Sequence, residues 1–369
     1  MTRAFLYGPL GWPDLAAEIA GAPLRTEPAT LPGMGLARDA TDDWPVLVAG
    51  PGVEGWLTAP LGEETLARLD FFNAAIGHVR RAEPALGPDV VVFSASGHRP
   101  ARDPWTFEEW KSAHGERTRL AAQEVMRLFG SVPVELAPTR LKVAQARAQA
   151  VMSGREWRRP ASRGGTTPSS AVRVDGVAHV YDGFHRVEEW SLDHPRFDGT
   201  RSGPISRAIS HVTDAITVLP YDPVRDRVLL VEQIRIGALA KGDQRPWLLE
   251  PVAGLIDAGE TAESAALREM AEEAGLWIGA GDLRWIGRYY PSPGGVAQVL
   301  HSYAALCDLP DAAAGLHGLE EEGEDIRAHL VPFDELLGML DSGEAANAPL
   351  IVSAQWLALN RDDLRGAVG

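Results

Sequence analysis

The sequence predicts an α+β protein with two domains. Its 369 residues exceed what one hydrophobic core usually holds. A stretch rich in Gly, Pro, Ser, Thr and Arg, "GREWRRPASRGGTTPSS", has the composition of a linker. In the second half, strand-like runs precede and follow one central helix, a pattern that favours a mixed-sheet sandwich. We therefore expect domains at 1–152 and 173–369, joined by a linker at 153–172.

The first domain is predicted to begin with strands and to end with helices. Gly/Pro turns separate the strand-like runs "FLYG", "WPVLVAG", "GVEGWLTAPL" and "DVVVFSASG". A short helix is expected in "GEETLARLDFF". The apolar spacing becomes helical from Asp103-Pro104 onward, and the helical pattern resumes in "PTRLKVAQARAQAVMSG".

The second domain alternates strands and turns on both sides of its central helix. This helix lies within "GLIDAGETAESAALREMAEEAGL", where Thr261 is the expected N-cap and Gly275 the expected stop. Ala266, Met270 and Ala274 are four residues apart and form one apolar stripe. Two further helices are predicted in "VPFDELLGMLDSG" and "APLIVSAQWLALNRDDL".

The charge of the chain is negative and uneven. The formal net charge is −16, with 15 Lys+Arg against 18 Asp+Glu in residues 1–150 and 20 against 33 in residues 151–369. Such a field disfavours nucleic acid and anionic lipid as partners. No apolar run reaches the roughly 18 residues of a membrane span. The N-terminus lacks the features of a signal peptide, and the single cysteine, Cys307, excludes an internal disulfide, so we expect a cytoplasmic protein.

The central helix is unusually rich in carboxylates. Glu269 and Glu273 are four residues apart and share one face, with Glu272 at its edge. Like charges at this spacing cost about 0.2–0.5 kcal/mol per pair, which Arg268 can offset by pairing with Glu272 or Glu260. Spacing alone leaves two alternatives open, a solvated face and a site for a hard divalent cation such as Mg²⁺.

The order of residues around this helix resembles the Nudix box. The pattern is Gly254, five residues, Glu260, seven residues, Arg268-Glu269-Met270, one residue, Glu272-Glu273, one residue, and Gly275-Leu276. The resemblance implies a loop-helix-loop that binds a divalent metal against a pyrophosphate. It implies metal ligands at Glu269, Glu273, Glu272 and the Ala253 carbonyl, and structural positions at Gly254, Glu260, Arg268 and Gly275.

A wider resemblance, over residues 175–365, is to bacterial ADP-ribose pyrophosphatases, which implies an α/β/α sandwich. It rests on "VEQIRIGALA", "PWLLEPVAGLID", "SPGG", "HGLEEEGEDIRAHLV", "YDGF" and "SAQWLALN". In "LEEEGEDIR" it implies Glu322 as general base and Glu324 as a metal ligand, with Glu320 and Glu321 as alternative bases. The implied cofactor is Mg²⁺, with Mn²⁺ as a substitute, and the implied products are AMP and ribose 5-phosphate.

The same resemblance implies substrate contacts outside the helix. Arg235 would contact the substrate, and Phe184 and Arg207 would hold adenine across a swapped homodimer. Gly294 and Gly295 would let the backbone approach the ligand. Gln298 stands near a position where the family usually has Glu, which leaves hydrolysis of another nucleoside diphosphate derivative open, such as a nucleotide sugar, NADH or a dinucleotide. A sensor that binds ADP-ribose is a separate alternative.

The first domain resembles the gamma-glutamylcyclotransferase-like fold, a small β-barrel. The resemblance rests on "FLYGPL" and "LARLDFFNAAIG". Pro9 removes one N–H donor from the implied substrate loop, and Asn73 stands where the family has its catalytic Glu. We therefore expect a barrel without cyclotransferase activity, although Glu83 or His78 could replace the missing acid.

Overall fold

The structure is a computed structural model that describes residues 1–40, 44–318 and 323–366. The chain forms two compact units. The N-terminal unit comprises Met1–Thr166 and the short segment Tyr181–His185, and the C-terminal unit comprises Thr167–Val180 and Arg186–Gly369.

The N-terminal unit is a mixed sheet with helices on one face. Its strands are β1 (Arg3–Tyr7), β2 (Thr26–Asp39), β3 (Pro45–Thr58), β4 (His78–Ala82), β5 (Val90–Ala95) and β6 (Ala101–Pro104). Its helices are α1 (Pro13–Ala20), α2 (Glu63–Ala75), α3 (Phe107–Trp110), α4 (Glu116–Met126) and α5 (Ala137–Glu156). The strand order is β4-β5-β1-β3-β2-β6, in which β1 runs parallel to β5 and antiparallel to β3. Closure of this sheet into a barrel stays a prediction.

Two details of this unit differ from the sequence-based expectation. The two strands expected on either side of Pro51 form one continuous strand, β3, because β2 pairs with it along its whole length. Gly50 fits this hairpin because a Cβ there would lie 2.8 Å from the Gly35 Cα. Asp103 and Pro104 belong to β6, so the helical segment begins at Phe107 and not at the Asp-Pro pair.

The C-terminal unit contains a larger and a smaller sheet. Its strands are β7 (Arg173–Asp182), β8 (Arg186–Asp193), β9 (Ile205–His211), β10 (Ala215–Asp222), β11 (Arg227–Ile234), β12 (Trp247–Glu250), β13 (Val252–Leu255), β14 (Leu283–Tyr289), β15 (Val296–Ala297), β16 (Leu300–Leu306), β17 (Gly315–His317) and β18 (Ile326–Pro332). Its helices are α6 (Ile236–Lys241), α7 (Ala262–Ala274), α8 (Phe333–Ser342) and α9 (Ala348–Gly366). The larger sheet has the order β14-β16-β10-β11-β18-β17, with β12 on β11 and β13 on β10, and the smaller has the order β15-β9-β8-β7.

The larger sheet is covered by helices on both faces. Alternate residues of β10 and β11 point to opposite faces, as the period of a strand requires. Ile216 and Val218 pack with α7 residues in one core cluster, whereas Leu219 and Tyr221 pack with α8 and α9 in another. This α/β/α arrangement confirms the mixed sandwich predicted for the second half. Within the described ranges, no helix is long and apolar enough to cross a membrane.

Candidate active site

The predicted loop-helix-loop is present, and local hydrogen bonds define its ends. The Ser264 N–H donates to the Thr261 hydroxyl at 3.0 Å, and the Thr261 N–H donates to the Ser264 hydroxyl at 2.9 Å. These reciprocal bonds confirm Thr261 as the N-cap of α7. At the other end, Gly275 adopts a left-handed φ of 62°, which confirms the expected stop.

The buried stripe of α7 determines which carboxylates face the site. Ala266, Met270 and Ala274 are at most 2% exposed and pack against Ile216 and Val252 of the sheet. The stripe therefore fixes the rotation of the helix. Glu269 and Glu273 then lie beside β13, where each meets the backbone.

Glu273 is the most deeply buried carboxylate of the helix. It is 2% exposed, and its Oε2 accepts the Ala253 N–H at 2.9 Å. The pKa of Glu273 is raised to about 8, mainly by burial; the charges of Glu269 and Glu324 also raise it, whereas the Ala253 N–H and Arg235 lower it. In the folded protein, the hydrogen bond from Ala253 and the charge of Arg235 do not offset the cost of burying the Glu273 carboxylate in its charged form.

Glu269 approaches the backbone where the chain has no side chain. A Cβ built on Gly254 would lie 1.8 Å from the Glu269 Oε1, so only glycine permits this position of the carboxylate. Burial raises the pKa of Glu269 to about 7, which the neighbouring Arg268 guanidinium opposes. Glu272 and Glu324 add to the increase.

Arg268 links the helix to the preceding loop. Its Nε and Nη2 donate to the two Glu260 carboxylate oxygens at 2.9 and 3.0 Å, a bidentate pair. Nη2 also donates to the Leu255 carbonyl at 3.0 Å. Nη1 donates to Glu269 at 2.7 Å and to Glu272 at 2.9 Å.

The donor set of this site fits a divalent cation. Across residues 1–40, 44–318 and 323–366, no three His, Cys, Asp or Glu side chains are gathered closely enough to hold a metal ion. Glu269, Glu273 and Glu324 nevertheless interact electrostatically, and they supply the oxygen donors that Mg²⁺ prefers. A buried acid, Glu273, and a partly buried one, Glu269, both with raised pKa values, are the arrangement that a bound cation would stabilise. Binding would have to draw these carboxylates together.

The predicted general base cannot be placed. Glu322 and the two alternatives, Glu320 and Glu321, lie outside the described residues. Glu324 is partly buried and lies next to Gly318, where an added Cβ would be 3.0 Å from the Glu324 carbonyl oxygen. Its charge raises the pKa values of both Glu269 and Glu273.

Arg235 has a partner that the sequence did not reveal. Its Nε donates to the Glu250 Oε2 at 2.5 Å, and the Asn347 Nδ2 donates to the Glu250 Oε1 at 3.3 Å. The Arg235 side chain is 39% exposed, so part of it still faces solvent. An acidic residue inside the apolar run "PWLLEPVAG" was the signal that could have identified Glu250.

The remaining predicted substrate residues lie apart from α7 in sequence. Phe184 is 57% exposed and belongs to the N-terminal unit, whereas Arg207 lies on β9 in the C-terminal unit. Gly294 and Gly295 have open space where a Cβ would stand. The Gln298 Nε2 donates to a backbone carbonyl at 2.9 Å.

In the N-terminal unit, Asn73 is fully buried, and its Nδ2 donates to the Leu69 carbonyl at 2.8 Å within α2. His78 is also buried, and burial lowers its pKa to about 4. Glu83 lies just beyond β4, where its N–H donates to the Val90 carbonyl at 2.8 Å.

Comparison with known proteins places the matched region in the C-terminal unit. The family model of the NUDIX domain matches residues 211–353. An ADP-ribose pyrophosphatase of Haemophilus influenzae is 35% identical over 211 residues, which cover 57% of this chain and 96% of that protein. An ADP-ribose pyrophosphatase of Escherichia coli is 38% identical over 194 residues, covering 53% and 91%. A GDP-mannose pyrophosphatase of Salmonella paratyphi A is 32% identical over 172 residues, covering 46% and 87%.

Proposed function

Because the chain belongs to the Nudix family, we propose that its C-terminal unit hydrolyses the diphosphate of ADP-ribose to AMP and ribose 5-phosphate. The observation that carries the proposal is the carboxylate pair of α7, with Glu269 against Gly254 and Glu273 on the Ala253 N–H. Two relatives named ADP-ribose pyrophosphatase, at 35% and 38% identity, favour ADP-ribose as the substrate.

The carboxylates have separate tasks in this proposal. Glu269, Glu273 and Glu324 hold the divalent cation, assisted by Glu272 and the Ala253 carbonyl. The cation, when bound, neutralises the diphosphate and orients it for attack by water. Mg²⁺ suits these oxygen donors, and Mn²⁺ would be accepted as well. Arg268 and Glu260 keep the preceding loop in place through their bidentate pair.

Proton transfer and substrate binding are assigned to other residues. Glu322 takes the proton from the attacking water. Arg235 binds the substrate with the part of its side chain that Glu250 leaves exposed. Gly294 and Gly295 let the backbone approach the substrate. Phe184 and Arg207 hold the adenine in a homodimer formed through the Nudix domain.

The N-terminal unit is proposed to be a gamma-glutamylcyclotransferase-like module without that activity. The supporting observation is Asn73, which is fully buried and uses its amide within its own helix. An amide is no general base, and burial lowers the pKa of His78 to about 4, which makes that imidazole a weak base. A role in docking or in supporting a dimer, in the cytoplasm, fits such a module.

A nucleotide sugar is the second candidate substrate. It is favoured by the 32% identity to a GDP-mannose pyrophosphatase. The deciding experiment compares ADP-ribose, GDP-mannose, NADH and a diadenosine polyphosphate with Mg²⁺, with release of the nucleoside monophosphate as readout. Preference for ADP-ribose by at least about tenfold in kcat/KM, or about 1.4 kcal/mol, supports the first proposal. Binding of ADP-ribose without turnover would instead indicate a sensor.

A further inference from the structure

Gln298 makes a contact that only a hydrogen-bond donor can make. Its Nε2 donates to the Thr213 carbonyl at 2.9 Å, and Thr213 is 5% exposed. A carboxylate at this position would set one acceptor against another, which costs more than losing the bond. The amide at Gln298 is therefore explained by a backbone partner inside the protein.

Asp214, the residue after Thr213 and directly before β10, makes a matching contact. The Val299 N–H donates to the Asp214 Oδ1 at 2.9 Å, and the Asp214 carbonyl accepts the Ile256 N–H at 2.9 Å. Asp214 is only 6% exposed. One residue thus joins the segment after β15 to the loop that precedes α7.

These contacts continue a longer attachment. The Ser210 N–H donates to the Gly295 carbonyl at 2.8 Å, and β15 pairs in parallel with the end of β9. The turn itself is closed by the Gly295 N–H, which donates to the Ser292 carbonyl at 3.2 Å. The two glycines proposed to approach the substrate therefore lie at the start of this attachment, and the bond made by Gln298 secures the residue that follows β15.

We infer that Gln298 and Asp214 are positioning residues, which fix the Gly294–Gly295 turn relative to the metal loop, and that Gln298 does not contact the substrate. The inference rests on the proposed function only where it predicts KM and kcat for ADP-ribose; the predicted contacts of the turn do not depend on that function. It also gives the departure from the usual acid a physical reason, since Glu at 298 would place a second carboxylate near the buried Asp214. Arg288 is a cation that acts electrostatically on Asp214.

The test combines substrate-free and kinetic measurements on the full chain. Hydrogen–deuterium exchange of peptides spanning 292–300 is measured without substrate in the wild type and in Gln298→Lys, Gln298→Met and Gln298→Glu. Lysine keeps a donor for the Thr213 carbonyl, methionine removes it, and glutamate replaces it with an acceptor. Asp214→Asn and Asp214→Ala form a second pair, because asparagine retains an oxygen for the Val299 N–H. KM and kcat for ADP-ribose with Mg²⁺ are measured on the same proteins.

The two variants that keep the hydrogen bond, one with a donor at 298 and one with an acceptor at 214, are expected to behave like the wild type. Gln298→Lys and Asp214→Asn should keep wild-type exchange and a KM within about twofold. Gln298→Met and Asp214→Ala should exchange faster and raise KM by about fivefold, the factor that accompanies one lost hydrogen bond, with kcat nearly unchanged. Gln298→Glu should show the largest increase in both the exchange rate and KM.

Two results would overturn the inference. One is unchanged exchange in Gln298→Met together with a higher KM, which would make Gln298 a substrate contact. The other is an equal increase in exchange and in KM in Gln298→Lys and Gln298→Met, which would show that the donor at position 298 has no role. If the wild type does not hydrolyse ADP-ribose, the proposed function fails, and the exchange measurements still decide whether Gln298 and Asp214 fix the turn.

Discussion

Glu273 is the residue on which the metal proposal depends most directly. Glu273→Gln keeps an oxygen for the Ala253 N–H but removes the charge that would hold a cation. We expect the kcat for ADP-ribose to fall by more than about 100-fold, beyond what outer-shell changes usually cost. The unfolding temperature without metal should not fall. Near-normal turnover with a normal unfolding temperature would rule out Glu273 as a metal ligand.

The raised pKa values of Glu273 and Glu269 predict how pH and metal act together. Both folded-state values, about 8 and about 7, lie above the ordinary value of 4.5. The stability that these groups contribute is therefore complete below pH 4.5 and is lost as the pH rises through 7 and 8. A divalent cation offsets that loss. The rise in unfolding temperature on adding Mg²⁺ should be larger at pH 8.5 than at pH 5.5, and a pH-independent shift would contradict the assignment.

Gly254 tests the geometry of the site without changing any charge. Gly254→Ala places a Cβ 1.8 Å from the present Glu269 Oε1, so the carboxylate must move away. We expect the Mg²⁺ concentration for half-maximal activity to rise by about 10–100-fold. Gly281→Ala is the matched control, because a Cβ there meets open space. Equal behaviour of the two variants would show that the close approach has no functional role.

At the scale of single elements, α7 is stabilised at its start by a side-chain cap. Thr261→Ala removes both the hydroxyl acceptor and the donor that meet Ser264. The loss of these bonds should destabilise the C-terminal unit by about 1 kcal/mol, whereas Thr261→Ser keeps the hydroxyl and should retain the wild-type stability. Thermal unfolding followed by circular dichroism measures both. No difference between the alanine and serine variants would mean that the cap contributes nothing.

The elements also show what sequence alone could predict. The cap, the stop and the apolar stripe of α7 depend on residues within one helix, and the pattern identified all three. The long β2–β3 hairpin was missed because Pro28, Pro32 and Gly33 conceal β2, and only pairing with β3 makes it a strand. Such pairing is set by contacts between distant residues.

The same reason explains the site residues that were missed. Arg235 meets Glu250 because β11 and β12 pair, with Ile234 opposite Trp247. Asp214 was missed because its proposed role depends on hydrogen bonds to the backbone of Val299 and Ile256, each more than forty positions away in the sequence. The candidate ligands on α7, by contrast, were predicted from the Nudix-box resemblance within one short segment, and their roles stay a proposal.

At the scale of the whole molecule, each unit has hydrophobic cores of its own. Leu69 is fully buried in the N-terminal unit and Leu229 in the C-terminal unit. We expect Leu69→Ala and Leu229→Ala each to cost about 2–5 kcal/mol, but in different unfolding transitions. In calorimetry, Mg²⁺ should shift the transition that Leu229→Ala lowers and leave the one that Leu69→Ala lowers in place.

The same pair of variants tests which unit carries the reaction. The proposed metal ligands Glu269, Glu273 and Glu324 lie in the C-terminal unit. Below both unfolding transitions, Leu69→Ala should therefore hydrolyse ADP-ribose with a kcat/KM within about twofold of the wild type, a difference of less than roughly 0.5 kcal/mol. Leu229 lies in the core beneath α7, so its variant should lose activity as that core loosens. A large loss of turnover in folded Leu69→Ala would show that the reaction depends on the packing of the N-terminal unit, which carries Phe184 in the segment Tyr181–His185.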